Sequence, residues 1–75
     1  MQYDRRVEIA GPLPAGVRHE IDRRFGPPGL RTEGNRTALE FRRLDEAAVR
    51  ALLELLWESG IAVLDLSTTT PPDEN

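Results

Sequence analysis

The segment from Asp45 to Leu66 restricts the fold of this chain more than any other segment. Aspartate is a common helix N-cap, and the residues after Asp45 carry an apolar stripe at helical spacing. Gly60 predicts the end of that helix, because glycine favours the left-handed conformation found at helix C-termini. The apolar residues from Ile61 to Leu66 then predict a strand. The segment therefore indicates a helix that leads into a strand.

The N-terminal part of the chain predicts a strand followed by a helix. Tyr3 to Ala10 alternates between a mainly apolar side and a charged side, as in a half-buried strand. Arg5 interrupts the apolar side, and we expect its long side chain to reach water near the end of the strand. Apolar residues then recur every four positions, and we expect a helix from Pro14 or Ala15 to Phe25.

A hairpin between these two units completes the order of elements. Gly34-Asn35 suits the positive φ angles of a tight turn between Leu30–Glu33 and Thr37–Arg43. The order β-α-β-β-α-β predicts an α+β fold, the ferredoxin-like sandwich, with a four-stranded antiparallel sheet and two helices on one face. Right-handed connections place the first and third strands centrally and the fourth beside the first. We assign residues 1–66 to this domain and expect 67–75 to form a disordered C-terminal tail.

The uncovered face of this sheet is expected to carry charges of both signs. Arg6 and Glu8 lie on the charged side of the first strand, and Glu40 and Arg42 lie on that of the third. Because these strands are antiparallel neighbours in the predicted sheet, the four side chains would form a lattice of opposite charges. The pattern places none of the aromatic residues that stack on RNA bases on this face, so we predict no nucleic-acid binding.

Composition excludes several classes of protein. The sequence has no cysteine, which leaves neither disulfides nor thiolate metal ligands, and its formal net charge is −3. This charge argues against general binding to nucleic acid or to an anionic membrane, and no apolar stretch is long enough to span a bilayer. All basic residues are arginine, which favours a GC-rich bacterial source. Since the N-terminus does not resemble a signal peptide, we expect a cytoplasmic protein. We also expect no cofactor.

The last strand is apolar on both faces. Strict alternation places Ile61 and Val63 on one side. It places Ala62, Leu64 and Leu66 on the other. In an edge strand, such surface would normally be protected by charged residues or proline. We therefore predict a contact with a second copy or a partner protein, formed by Trp57, Ile61, Val63, Leu64 and Leu66. The alternatives are that the tail or a loop covers the strand, and that Trp57 is partly in the core.

The loop from Gly11 to Gly16 is the candidate ligand-binding segment. In this fold it joins a central strand to a helix N-terminus, where free backbone N–H groups can hold an anion. The residues assigned to this site are Gly11, Leu13 and Gly16. The alternative is a rigid turn, since the two prolines of the loop remove donors. His19 is the single histidine and lacks partner ligands, so we predict no metal site and assign no catalytic residue.

Two stretches of the chain carry a resemblance to known proteins. Val7–Pro12 and Leu52–Ile61, with the hairpin between them, resemble small ferredoxin-like proteins of GC-rich bacteria and, more distantly, ACT-type regulatory domains. ACT domains often bind amino acids between paired domains, and Gly11 lies in the loop where they carry a ligand-contacting glycine. Ala10 stands where these domains usually have an acidic residue.

The sequence favours a non-catalytic protein-interaction or assembly module that forms a homodimer. A small-ligand regulatory domain of ACT-like type is the first alternative, and it would use the Gly11–Gly16 loop. The second alternative is a small dimeric ferredoxin-like enzyme, which would need His19, Tyr3 or an arginine in a cavity. A pocket near Tyr3, Arg5 and Gly11 would favour the alternatives, whereas a solid core would favour the assembly module.

Overall fold

The computed structural model describes residues 3–69, and its elements follow the predicted order. They are β1 (Tyr3–Ala10), α1 (Ala15–Phe25), β2 (Gly29–Glu33), β3 (Arg36–Leu44), α2 (Glu46–Glu58) and β4 (Val63–Thr69). The strands form one antiparallel sheet in the order β2-β3-β1-β4, so the predicted ferredoxin-like α+β fold is confirmed. β4 continues past the predicted strand end at Leu66 to Thr69. The rest of the predicted tail, 70–75, lies outside the described residues.

The core lies between the two helices and one face of the sheet. Alternate residues of β1 and β3 point into it, and one stripe of each helix closes it from above. Its buried apolar side chains are Val7, Ile9, Ile21, Leu39, Phe41, Leu44, Val49, Leu52 and Leu56. Neither of the helices in residues 3–69 is long and apolar enough to cross a membrane.

The C-terminus of α2 sets where β4 can begin. The Ile61 N–H donates to the Leu56 carbonyl (2.9 Å), and the Gly60 N–H donates to the Trp57 carbonyl (3.0 Å). With Gly60 at φ +77°, this is the hydrogen-bond pattern of a Schellman motif. Because the Ile61 N–H is used by the helix, the predicted strand start at Ile61 is wrong, and β4 begins at Val63.

A β-bulge in β3 lets two of its residues face the core. Tyr3 pairs with Leu44 and Arg5 pairs with Phe41, so β3 has one residue more than β1 over this interval. Arg43 adopts φ +55°, the left-handed conformation that non-glycine residues rarely take. As a result, both Phe41 and Leu44 are buried, although three positions separate them.

A second bulge changes which residues of β4 share a face. Val7 pairs with Leu66 and Ile9 pairs with Val63, so Leu64 is an extra residue between them. Directly opposite residues of antiparallel strands lie on the same face, and Val7 and Ile9 both face the core. Val63 and Leu66 therefore both lie on the helix side, and the prediction that they lie on opposite faces is wrong.

Arg5 is buried, and the prediction that its side chain reaches water is wrong. Only 6% of the residue is exposed. Its Nε donates to the Leu44 carbonyl (3.3 Å), and its Nη1 donates to the Thr68 hydroxyl (3.1 Å). Nη2 lies 3.8 Å from a carboxylate oxygen of Glu46, which is itself largely in solvent. Arg5 thus joins β1 to the end of β3, to α2 and to β4.

The open face of the sheet carries the expected mixture of charges. Arg6 lies 3.3 Å from Glu8 and 4.0 Å from Glu40, and Arg36 lies 3.6 Å from Glu8. Three of the four predicted participants are therefore present, and Arg36, at the opposite end of β3 from Arg42, takes part as the second arginine. Within residues 3–69, Arg42 forms no ion pair, and this leaves its charge available at one end of the sheet.

Candidate functional site

One flank of the molecule exposes large apolar side chains. Trp57 is 60% exposed, Leu64 is 44% exposed and Leu66 is 39% exposed. Ile61 and Val63 are half-buried and pack against the core. We call the surface formed by these five residues the α2–β4 flank. The alternative that Trp57 is partly in the core is wrong.

The geometry of α2 places Trp57 beside β4. Glu46, Leu53 and Trp57 follow one another at spacings of seven and four residues, so they lie along one side of the helix. On that side, the Glu46 carboxylate lies near Arg5, and Arg5 donates a hydrogen bond to Thr68 of β4. This side of α2 therefore faces β4, and Trp57 belongs to the same surface as the strand.

The two edges of the sheet differ in how they are protected. β2 is five residues long, contains Arg31 and Glu33, and follows two consecutive prolines. β4 is seven residues long and contains a single charged residue, Asp65. Charge, proline and short length are the usual means by which proteins prevent edge strands from pairing with other chains. β2 has all of these features, whereas β4 has one charge and the bulge at Leu64.

The loop predicted to bind a ligand keeps only part of its backbone donors free. The Gly11 N–H donates to the Asn35 carbonyl, and the Gly11 carbonyl accepts from the Thr37 hydroxyl (2.8 Å). Both prolines of the loop lack an N–H, and Leu13 packs against the core. Gly16 is exposed and belongs to the first turn of α1. The structure thus ties Gly11 and Leu13 into the fold and leaves Gly16 apart from them.

A cleft lies at the opposite end of β1 from this loop. It measures about 670 Å³, and none of the Gly11–Gly16 residues line it. The pairing of β2 with β3 ends at Gly29 and Glu40, so β3 continues to Leu44 without a partner on that edge. The end of α1 and the connection to β2 pass beside this free edge and form the other wall of the cleft.

The cleft combines charged and aromatic side chains. Its charged lining consists of Asp4, Arg5, Arg6, Glu40 and Arg42, and its apolar lining includes Phe25, Pro27 and Phe41. Of these residues, only Arg5 was named from the sequence as part of a possible pocket, and none was assigned as a site residue. The signal that could have revealed the cleft is the difference in length between β2 and β3, which leaves one end of β3 uncovered.

The outer face of α1 does not form a site with His19. His19 is exposed, and residues 3–69 contain no group of three side chains that could hold a metal ion. Beside it, the Arg23 guanidinium forms a hydrogen bond to Glu20 and lowers the pKa of that carboxyl below its ordinary value. These are interactions of a solvated helix face, and they lie outside the cleft.

Comparison of the chain with protein-family models, with curated proteins and with solved structures yields no match. The resemblances to small bacterial ferredoxin-like proteins and to ACT-type domains therefore stay predictions. The function has to be argued from the α2–β4 flank and the cleft themselves.

Proposed function

We propose that this chain is a non-catalytic assembly module that forms a homodimer through the α2–β4 flank. The observation that carries the proposal is the outer edge of β4, which is nearly free of charge and lies beside the exposed side chains of Trp57, Leu64 and Leu66. An edge strand of this kind presents unpaired backbone groups that a second strand can satisfy. The occupant we propose is β4 of a second copy.

The sequence of β4 is compatible with pairing to itself. In an antiparallel pair centred on Leu66, the two Leu66 side chains lie together and Asp65 lies opposite Ser67 of the other copy. Within one chain, the Ser67 hydroxyl already donates to the Asp65 carboxylate (3.2 Å). Centring the pair on Asp65 instead would place two carboxylates opposite each other, which is destabilising. Charge therefore favours the register centred on Leu66.

The helix layer supports the same arrangement. Two or three strand spacings would separate the α2 helices of the two copies, roughly 9–15 Å, which is at or above the usual distance between packed helices. Large side chains are needed to fill such a gap. Leu66 lies on the helix side of β4, and Trp57 projects from the side of α2 that faces β4, so both would lie in this space.

The mass of the protein in solution tests the proposal. As the protein concentration is raised to about 1 mM, we expect the mass from sedimentation equilibrium to reach twice the chain mass of 8.4 kDa. Leu66→Lys should shift the protein to 8.4 kDa and raise the dimer dissociation constant by about tenfold or more, since a charge at a buried apolar seam is costly.

Leu30→Lys is the matched control. Leu30 is exposed to nearly the same extent as Leu66 (38%), but it lies on β2, at the other edge of the sheet. This variant should remain a dimer. If the wild-type protein has the mass of one chain at all concentrations, the proposal is refuted. It is also refuted if the Leu30 variant dissociates while the Leu66 variant stays a dimer.

The ACT-like and enzymatic alternatives gain less support from the structure, because the cleft includes Arg5 but is lined by neither Tyr3 nor any residue of the Gly11–Gly16 loop. The two prolines and the engaged Gly11 N–H reduce the number of donors in the Gly11–Gly16 loop, and His19 lies on the solvated face of α1. A cytoplasmic location is part of our proposal, and a fold that needs no disulfide is compatible with it.

A further inference from the structure

We propose that the cleft at the free edge of β3 binds a small organic carboxylate with an aromatic or aliphatic body. The inference is independent of the homodimer, because β3 is separated from β4 by β1. A cleft of about 670 Å³ falls within the range of small-molecule sites in proteins.

The charge of the cleft favours an anion. Three arginines and two carboxylates line it, a formal charge of +1 in a chain whose net charge is −3. Of these groups, Arg6 is paired with Glu8 and Glu40. Arg42 forms no ion pair or hydrogen bond through its side chain within the described part of the chain, so its guanidinium is free to receive a carboxylate.

The backbone beside Arg42 is held in an unusual conformation. Arg43 has φ +55°, and its N–H donates to the Asp4 carboxylate (3.1 Å). A bulge of this type changes the direction of the neighbouring side chains, and such bulges are frequent next to binding sites. The Asp4 carboxylate is thereby engaged, which reduces its repulsion of an anion in the cleft.

The negative charge at the nearby end of α1 is partly offset. A helix C-terminus carries a partial negative charge, which would repel a carboxylate. Here the last turn of α1 contains Arg23 and Arg24, and Arg24 lies 5.2 Å from the centre of the Phe25 ring. Both guanidinium groups also pair with Glu20 and neither lines the cleft, so they offset the negative end of the helix only in part.

The apolar wall accounts for the rest of the ligand. Phe25 is half-buried, Phe41 is buried, and Pro27 lies in the connection that follows α1. A ligand with its carboxylate at Arg42 could place an aromatic or aliphatic body against these side chains and remove apolar surface from water. The proposed ligand class therefore combines one carboxylate with one apolar group.

Amide NMR titration of the full chain with 3-phenylpropionate tests the inference. We expect saturable shifts of the amides of Phe25, Gly26 and Gly29 and of residues 40–43. The neutral amide of the same acid should bind about fivefold more weakly or worse, because it lacks the charge that Arg42 receives. Arg42→Gln should weaken binding of 3-phenylpropionate by a similar factor and leave the oligomeric mass unchanged.

Arg50→Gln supplies the matched control, since Arg50 is an exposed arginine on the outer face of α2. The affinity of this variant for 3-phenylpropionate should stay within about twofold of that of the wild-type protein. Binding of the acid and the amide with equal affinity would overturn the inference. Shifts confined to residues outside the cleft would also overturn it. The same holds if the shifts do not saturate at ligand concentrations up to about 20 mM, because the dissociation constant would then be too high for a specific site.

Discussion

Among single side chains, Arg5 has the environment least suited to a charge. It occupies a core-facing position of β1, and its guanidinium has two hydrogen bonds, one ion pair at 3.8 Å and a cation–π contact with the Tyr3 ring at 5.4 Å. Nη2 has no hydrogen-bond partner within residues 3–69. Because Glu46 is 81% exposed, the ion pair is largely screened by water. The long stem of Arg5, and not its charge, should therefore supply most of its contribution to stability.

Substitutions at Arg5 and Glu46 test this interpretation. We expect Arg5→Ala to lower the free energy of unfolding by about 3 kcal/mol, since it leaves a cavity and removes the donors to Leu44 and Thr68. Arg5→Met should cost only about 1 kcal/mol, because its side chain refills the space without a buried charge. Glu46→Gln should cost less than about 0.5 kcal/mol.

Urea unfolding at one fixed protein concentration provides these values. An effect of Glu46→Gln equal to that of Arg5→Ala would show that the ion pair dominates and that our interpretation is wrong.

Among the elements, α2 has the best defined ends. The Asp45 carboxylate accepts a hydrogen bond from the Ala48 N–H (2.8 Å), and Glu46 adds negative charge in the first turn. At the other end, the Schellman motif at Gly60 satisfies the last carbonyl groups. Both ends were predicted from residue type, because caps depend on local chemistry.

Removing the N-cap should destabilise the protein measurably. Asp45→Ala should lower the free energy of unfolding by about 1 kcal/mol, and the melting temperature by about 4–8 °C. Asp45→Asn retains an oxygen that can accept from Ala48, so most of the stability should remain. Calorimetry of the three proteins at the same concentration measures the difference. Equal losses for both variants would indicate that charge, and not the hydrogen bond, stabilises the helix start.

The elements also show where prediction from the sequence fails. The bounds of α1 and the hairpin turn at Gly34 follow from glycine, proline and apolar spacing, and they were predicted correctly. The bulges at Arg43 and Leu64 were missed, because an alternating pattern cannot show that one strand contains an extra residue. The same limit hid the cleft, since its existence depends on β2 ending where β3 continues. The interface residues stay a prediction until the oligomeric state is measured.

Considered as one body, the protein is a thin sandwich with one covered sheet face and one charged face. Its core is small, and a domain of this length seldom gains more than about 3–5 kcal/mol from a single core. A dimer through the α2–β4 flank would add buried apolar surface at the edge where the sheet is least protected. Stability would then depend on protein concentration.

The melting temperature measures this dependence. If the native state is a dimer, raising the protein concentration a hundredfold stabilises the dimer by about 2.7 kcal/mol, and the midpoint should rise by roughly 5–10 °C. Leu66→Lys should melt at a temperature independent of concentration. A wild-type midpoint that does not move over this range would contradict the dimer, whatever the apparent mass at high concentration.

The bulge at Arg43 has a consequence for how this protein can diverge. Phe41 and Leu44 both reach the core only because the interval between them holds one extra residue, and the helix cap Asp45 follows at once. Deleting a single residue there would turn Leu44 towards the charged face or remove the cap from its position. Homologous chains can therefore vary the exposed side chains of this interval within what the left-handed conformation at position 43 allows, but a gap in their alignment at this point would mark a rearranged junction between sheet and helix.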